Sequence, residues 1–400
     1  MLRTVAPSLE SRGHGYGRDV VPPSAEEFRS LFALDPEVVF LNHGSFGAAP
    51  RPVLEHQNEL RRRLEQNPVA FLKRELPGLL DEACTALAGY VGADPEGIGL
   101  LPNATTAINA VARSLRLEPG DEIVLTDHEY GAMRLLWEEI SSRSGARLVV
   151  VALPLPYDDP RAVVEAFAAV LTSRTRVVFF SHVTSLSALV LPATELCALA
   201  REAGAVSLLD GAHAPGQIEL DLAAIGADCY AGNAHKWLCA PKGSAFLYAG
   251  EAARTWVGAD VVSWGWAWDG DDAFRGRFSW RGTSDPTALL SIPAAIRFQQ
   301  EHDWPEVRRR CRALAEETAD RLVTELGAVE LAARPLQAPQ MVSVSLADAD
   351  PDQLERGLWE QCRIELPVER LLDLVVARLS VQAYTTAADC EALVSALVRL

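Results

Sequence analysis

Cations are what this chain has too few of. Its 37 Lys and Arg face 54 Asp and Glu, leaving a formal charge of -17 at pH 7 and an isoelectric point near 5.0. That balance argues against a nucleic-acid backbone or an anionic membrane surface as partner. No apolar run approaches the length of a membrane span, and Met1 to Ser24 holds no hydrophobic core of a secretory signal, so a cytoplasmic protein is expected. Seven cysteines (Cys84, Cys197, Cys229, Cys239, Cys311, Cys362 and Cys390) are scattered and never spaced C-x-x-C. They favour reduced, mostly buried thiols over a disulfide framework or a zinc knuckle. Nucleotide and hydrolase signatures are missing as well. Gly13-His14-Gly15-Tyr16-Gly17 fails the G-x-G-x-x-G spacing and follows no strand, and there is no P-loop, no H-E-x-x-H and no G-x-S-x-G. Asp210 and His213 have no third ligand nearby, so no metal is expected.

What is present is a long chain of ordinary globular composition. Its 400 residues are 49% hydrophobic and 23% charged, more than one core usually serves, so a large and a small domain are expected. Short β-branched runs at 98–101, 123–126, 148–152, 177–180, 206–209 and 245–248 alternate with helical patterns at 104–115, 132–142, 162–171 and 193–203. The alternation predicts a doubly wound α/β sheet, which binds ligands at the carboxyl ends of its strands. After Ile292 a long helical stretch, 304–326, precedes a strand at 341–346, a helix at 353–361, short strands and a last helix at 387–398. The division expected is a wrapping N-terminal segment (1–52), a large domain (53–290) and a small α+β domain (291–400).

The strand Val206-Ser207-Leu208-Leu209 ends in Asp210, followed by Gly211-Ala212-His213. A buried carboxylate there needs a cationic partner, which a protonated pyridine nitrogen would supply; an Asp that merely caps the turn is the plain alternative. After a second apolar strand, 228–231, comes Gly232-Asn233-Ala234-His235-Lys236-Trp237. Alone, Lys236 would read as a solvated lysine. Paired with Asp210, its amine can condense with an aldehyde cofactor and later act as general base at a substrate Cα, with the cofactor ring as electron sink. That cofactor is pyridoxal 5'-phosphate (PLP). Its phosphate needs a helix start, and Leu101-Pro102-Asn103-Ala104-Thr105-Thr106 opens one, although the same pattern reads simply as a good N-cap. Asn233 and His235 add donors to the same phosphate. Tyr130, in Asp127-His128-Glu129-Tyr130-Gly131, offers an aromatic face for the pyridine ring, with a core tyrosine as the alternative.

With these residues together the chain resembles the class V aminotransferases, and within them the isopenicillin N epimerase group. The resemblance rests on 41–47 (Leu-Asn-His-Gly-Ser-Phe-Gly), 127–132, 180–185, 210–215, 233–237, Gly282-Thr283 and Arg378-Leu379-Ser380. It implies the aspartate-aminotransferase-like PLP fold (fold type I) and a homodimer with shared active sites. It makes Lys236 the Schiff-base lysine, Asp210 the pyridinium partner, His213 a neighbour of the phenolic oxygen and Tyr130 the stacking residue. Thr105, Thr106 and His235 match phosphate-binding positions, and Thr283 would reach the phosphate of the neighbouring subunit. Arg378 looks like the arginine that grips the substrate α-carboxylate, with Asn42 and Ser45 beside it as substrate-binding residues; a surface arginine is the alternative.

Two departures bear on substrate. Relatives commonly read Thr-Ser-Pro-Thr-Gly where this chain has Thr184-Ser185-Leu186-Ser187-Ala188, so a different local turn is expected. Relatives also often place an arginine after Gly-Thr, where this chain has Ser284. The expected function is chemistry at Cα of a small amino acid in specialised metabolism, on a cysteine S-conjugate by β-elimination or by decarboxylative or oxidative deamination. Epimerisation is the alternative, and a non-catalytic ligand-binding relative a third. Five tryptophans, Trp256, Trp264, Trp266, Trp268 and Trp280, crowd one Gly- and Asp-flanked segment. Core packing is the favoured reading for them, a mobile substrate mouth the other.

Overall fold

The computed structural model describes residues 22–267, 273–347 and 349–400. The opening of the expected wrapping segment, through residue 21, and Trp268 lie outside the described residues. Seven strands form the central sheet: β1 (Ile98–Leu101), β2 (Glu122–Thr126), β3 (Arg147–Val151), β4 (Thr175–Ser181), β5 (Val206–Gly211), β6 (Cys229–Asn233) and β7 (Ala245–Ala249), in the spatial order β1-β7-β6-β5-β4-β2-β3. Apart from the edge strand β3, which is partly exposed, their nearly unbroken burial explains why they read as continuous apolar runs: a sheet covered on both faces shows no polar alternation. Successive residues still point to opposite faces. Leu208, Cys229, Ala231 and Leu247 join one buried cluster, whereas Leu209, Tyr230 and Phe246 join the other.

The sheet is mixed. β7 runs antiparallel to both β6 and β1, while β2, β3, β4, β5 and β6 pair in parallel. The doubly wound α/β expectation holds with one antiparallel strand, and the connection explains that strand. A parallel return needs a crossover of a dozen residues or more, usually helical, whereas residues 234–244 hold no helix and fold straight back. Lys236 lies in that connection.

The C-terminal part packs the helix Trp304–Leu326 against a four-stranded antiparallel sheet in the order Val368–Leu371, Leu374–Ser380, Met341–Leu346, Val329–Glu330. The sequence reading placed the helix and the strand at 341–346 on the same residues. The N-terminal strand Val39–Phe40 pairs in parallel with Ile364–Glu365, and the Leu41 carbonyl accepts from the Ser380 N–H at 2.9 Å. The chain then turns through His43–Phe46 onto the central sheet.

The landing is close. Gly47 has φ +71°, and a Cβ there would stand 2.0 Å from the His235 carbonyl oxygen and 2.9 Å from Lys236 Cα. His43 is held between the two regions, its Nε2 donating to the Lys236 carbonyl at 3.0 Å and its Nδ1 accepting from the Tyr384 hydroxyl at 2.8 Å. Gly47→Ala is thus expected to cost at least about 2 kcal/mol from left-handed strain plus overlap. Gly131→Ala, at a helix start with nothing within 4 Å of the new methyl, is expected to leave stability unchanged or slightly raised. Chemical unfolding of the two variants beside the parent chain checks both.

Candidate active site

A cavity of about 170 Å³ opens at the carboxyl ends of β5 and β6, lined by Ser45, Thr105, Tyr130, Ser181, Ser185, Asp210, His213, Asn233, His235 and Lys236 among others. A larger apolar groove lies elsewhere, between the helix Leu76–Val91 and Trp264, and contains none of this chemistry. Most of the candidate residues thus share one chamber.

Asp210 ends β5 and is 5% exposed. One of its oxygens accepts from the Ala212 N–H at 2.9 Å, and no ion pair reaches it among the described residues. Burial pushes its carboxyl above the ordinary range, opposed by that hydrogen bond and by Lys236. Lys236 is half-buried. Burial brings its amine down to about 7, aided by the Arg378 charge and opposed by Asp210. Its Nζ stands 3.0 Å from His213 Nε2. His213 is held well below its ordinary range, by burial first and then by Lys236, Arg378 and His43.

At the phosphate-type helix start, the Asn103 side chain accepts from the Thr106 N–H at 2.7 Å and from the Thr106 hydroxyl at 2.9 Å. Asn233 accepts from the Ala104 N–H at 2.8 Å, which ties the end of β6 to the helix Ala104–Ser114. Thr105 lines the cavity between them, while Thr106 is turned to Asn103 and faces a second groove. His235 donates from Nδ1 to the Ser244 carbonyl at 2.9 Å, and burial lowers it to about 4. Tyr130 is 51% exposed at the cavity mouth, opposite in character to a core tyrosine. Thr283 is exposed and lies away from this cavity.

Arg378 is the opposite of a surface arginine. It is 4% exposed, on Leu374–Ser380, with no carboxylate in ion-pair range among the described residues. Its Nη1 donates to the Ser185 carbonyl at 2.8 Å, and its Nη2 to Ser45 Oγ at 2.9 Å and Asn42 Oδ1 at 3.1 Å. Its Nε has no partner, and burial lowers it to about 10. The three residues predicted to hold a carboxylate are therefore together. Ser185, which the sequence reading did not name as a site residue, supplies the carbonyl that aims the fork. In the turn it belongs to, Ala188 is left-handed with φ +57°, a conformation that favours glycine.

The family profile described as Aminotransferase class-V matches residues 40–393. The chain belongs to this family. It is 41% identical to the isopenicillin N epimerase of Amycolatopsis lactamdurans, over 93% of this chain and 97% of that protein. It is also 29% identical to the probable chloroplastic L-cysteine desulfhydrase of Arabidopsis thaliana (86% and 78%), and 24% identical to the hercynylcysteine sulfoxide lyase of Schizosaccharomyces pombe (91% and 94%). A complex of the cystine C–S lyase C-DES with cysteine persulfide superposes with a TM-score of 0.80 at 24% identity, over 93% of this chain and 99% of that one. Class-V members are PLP-dependent enzymes, and this cavity fits the cofactor on its own terms. A buried carboxylate without a cation, an amine brought down to about 7, a helix start and a buried guanidinium without an anion await a pyridinium, an aldehyde, a phosphate and a carboxylate in turn.

The structure adds Glu129 behind the wall of the site, bonded to Ser181, which lines the cavity. It accepts from the Thr126 hydroxyl at 2.5 Å and the Ser181 hydroxyl at 2.7 Å, and burial pushes its carboxyl up to about 7. No spacing rule marks it; only its depth does. Folded Glu129 keeps its proton up to about pH 7, whereas the unfolded side chain loses it near 4.5, so the native state loses stability as pH climbs through that window. Glu129→Gln is expected to match the parent near pH 4.5 and to be more stable by roughly 3 kcal/mol or less at pH 8. Unfolding midpoints at the two pH values check the sign.

Proposed function

We propose that this class-V enzyme removes the Cα proton of a cysteine S-conjugate and expels the sulfur substituent from Cβ, in a specialised-metabolite pathway. The one-sided acid–base arrangement of the cavity carries the reading. Lys236 is its amine, and the remaining titratable side chains that line it are Asp210, His213, His235 and Tyr130. Asp210 sits at the strand end, His213 is in contact with Lys236 itself and His235 is tied to Ser244. Elimination needs one base, whereas inversion needs a second proton donor on the opposite face.

Bound PLP supplies an electron sink for the Cα–H electron pair. Lys236 would hold the cofactor through Nζ and take the Cα proton on the same atom. Asp210 would keep the ring nitrogen protonated, His213 would serve the phenolic oxygen, and Tyr130 would offer its face to the ring. Thr105 and Asn233 would bind the phosphate at the helix start, joined by His235 if its Nε2 takes a proton, and Thr106 would steady that start through Asn103. Arg378, Asn42 and Ser45 receive the substrate α-carboxylate. The electrons of the Cβ–S bond leave with sulfur, which takes up the proton lost from Cα, and one water hydrolyses the released three-carbon imine, so the products are a thiol, pyruvate and ammonia. A persulfide route of the desulfurase kind needs a cysteine at the cavity, and none lines it. All seven cysteines are free, and only Cys362 is not buried.

A homodimer completes the proposal, with the 53–290 part contributing most of the cavity, the 291–400 part Arg378 and the neighbouring subunit Thr283. Its support is an apolar face. Val262 is 70% exposed, Trp264 81% and Trp266 50%, which overturns core packing for those two tryptophans and marks a surface that water alone covers poorly. Epimerisation is the second reading, favoured by the 41% identity to an isopenicillin N epimerase and by Tyr130 at the mouth.

Incubation of the PLP-loaded protein in heavy water with S-substituted cysteines and ordinary L-amino acids separates the readings. Thiol and pyruvate in equal amounts are expected. An aldehyde with loss of carbon dioxide would point to oxidative decarboxylation, and a deuterated D-isomer with no fragment lost would establish the epimerase. Arg378→Leu is expected to raise KM for the amino acid about 10- to 100-fold, the value of charge-assisted hydrogen bonds to the carboxylate. It should also move the Lys236 titration upward in pH, because the guanidinium charge helps hold that amine down. Steady-state kinetics and a pH titration of the amine check the pair.

A further inference from the structure

We propose that Trp237 is a positioning residue that fixes His213 as the Nε2–H tautomer, so that His213 can only donate a hydrogen bond on its Lys236 side. The proposal rests on the reading of Lys236 as the reacting amine. An indole N–H donates and never accepts. Trp237 Nε1 donates to His213 Nδ1 at 3.3 Å, so that ring nitrogen must present a lone pair. The proton of a neutral imidazole then sits on Nε2, which faces Lys236 Nζ at 3.0 Å. A hydrogen bond forms across that gap only if Nζ offers its own lone pair, that is, if Lys236 is the free amine. An ammonium there would oppose N–H to N–H. Doubly protonated His213 would break the indole bond and add a charge beside Arg378. The arrangement therefore selects the protonation state in which Lys236 is a nucleophile and a base.

The indole has little freedom to give way. Trp237 is fully buried, its ring packs on His43 with centroids 4.9 Å apart, and Gln299 donates to its carbonyl at 2.8 Å. Gly216 has φ +91°, and a Cβ there would stand 2.2 Å from the Trp237 carbonyl oxygen, so this backbone is closed from both sides. His213 is fixed as well, its carbonyl accepting from Gln217 at 2.8 Å. The charged and titratable groups around the His213 ring are Lys236, Arg378 and His43, with Asp210 on the same cavity wall. Arg378 stays charged, and His43 is held neutral at about 3, which leaves Lys236 as the neighbour that titrates near neutral pH.

The test reads protons directly. Full-length protein labelled with nitrogen-15 in histidine is examined by NMR with PLP bound and after its removal, the His213 signals being assigned by their loss in His213→Gln. Protonated Nε2 with bare Nδ1 is expected in both states from about pH 6 to 9. A proton on Nδ1, in either the other tautomer or the imidazolium, overturns the proposal, and this reading is made on the parent protein. Trp237→Phe is expected to let protonated Nδ1 appear and to shift the Lys236 titration in the PLP-free protein to higher pH, read by its reaction with a carbonyl reagent. In a His213→Gln background the same change should leave that titration where it was; a shift of equal size there would make Trp237 merely structural. These readouts need no turnover, so failure to release thiol and pyruvate would count against the proposed function and leave the tautomer question decided separately.

Discussion

Three ionisable side chains are drawn away from water without an ion pair among them, Asp210 and Lys236 lining one small cavity and Arg378 bonded to Ser45 and Ser185 of its wall. Desolvation on that scale costs several kcal/mol for each group unless something compensates. The compensation here is partial and directional. Asp210 has one backbone donor, Lys236 one imidazole, and Arg378 a serine, an asparagine and a carbonyl. Each is held in place by neutral dipoles while its charge is left to be matched from outside the chain. That is how a protein prepares a site for a zwitterionic ligand: geometry is fixed beforehand, and the electrostatic gain is reserved for binding.

The same constraint explains why three distant parts of the chain meet at one point. The sheet supplies strand ends that face the cavity, but strand ends alone leave it open to water. The turn at 42–47 closes one side by resting on the Lys236 backbone, and Leu374–Ser380 closes another by delivering Arg378 from the second sheet. His43 and Gly47 show how tight the closure is, one by bonding the Lys236 carbonyl and the other by having no room for a methyl group.

Much of this was legible in the sequence, for a physical reason. Strands buried on both faces leave uninterrupted apolar runs, so β2, β5 and β6 could be located almost to the residue, and the acid and the amine at their ends stood out against that background. What escaped was set by tertiary context. The direction of β7 depends on how short and helix-free its connection is, which no strand propensity records. Glu129 looks like any acidic residue until its burial is known, and Ser185 contributes a backbone carbonyl that every residue possesses. Exposure of Trp264 and Trp266 ran against the usual habit of tryptophan, because the described residues leave that face largely open. Ala188 adopts a left-handed backbone conformation its residue type disfavours, which residue type alone does not announce.

The span of the Arg378 contacts governs when the site can come into being. Arg378 bonds Asn42 across 336 residues of sequence, and His43 bonds Tyr384 across 341. On a ribosome the strand ends and Lys236 emerge long before the segment that completes the chamber. The nascent enzyme therefore carries an open, hydrated lysine for most of its synthesis, and a pocket able to depress that amine exists only after the last strand has paired. Cofactor capture becomes a late step, governed by long-range closure rather than by formation of the sheet.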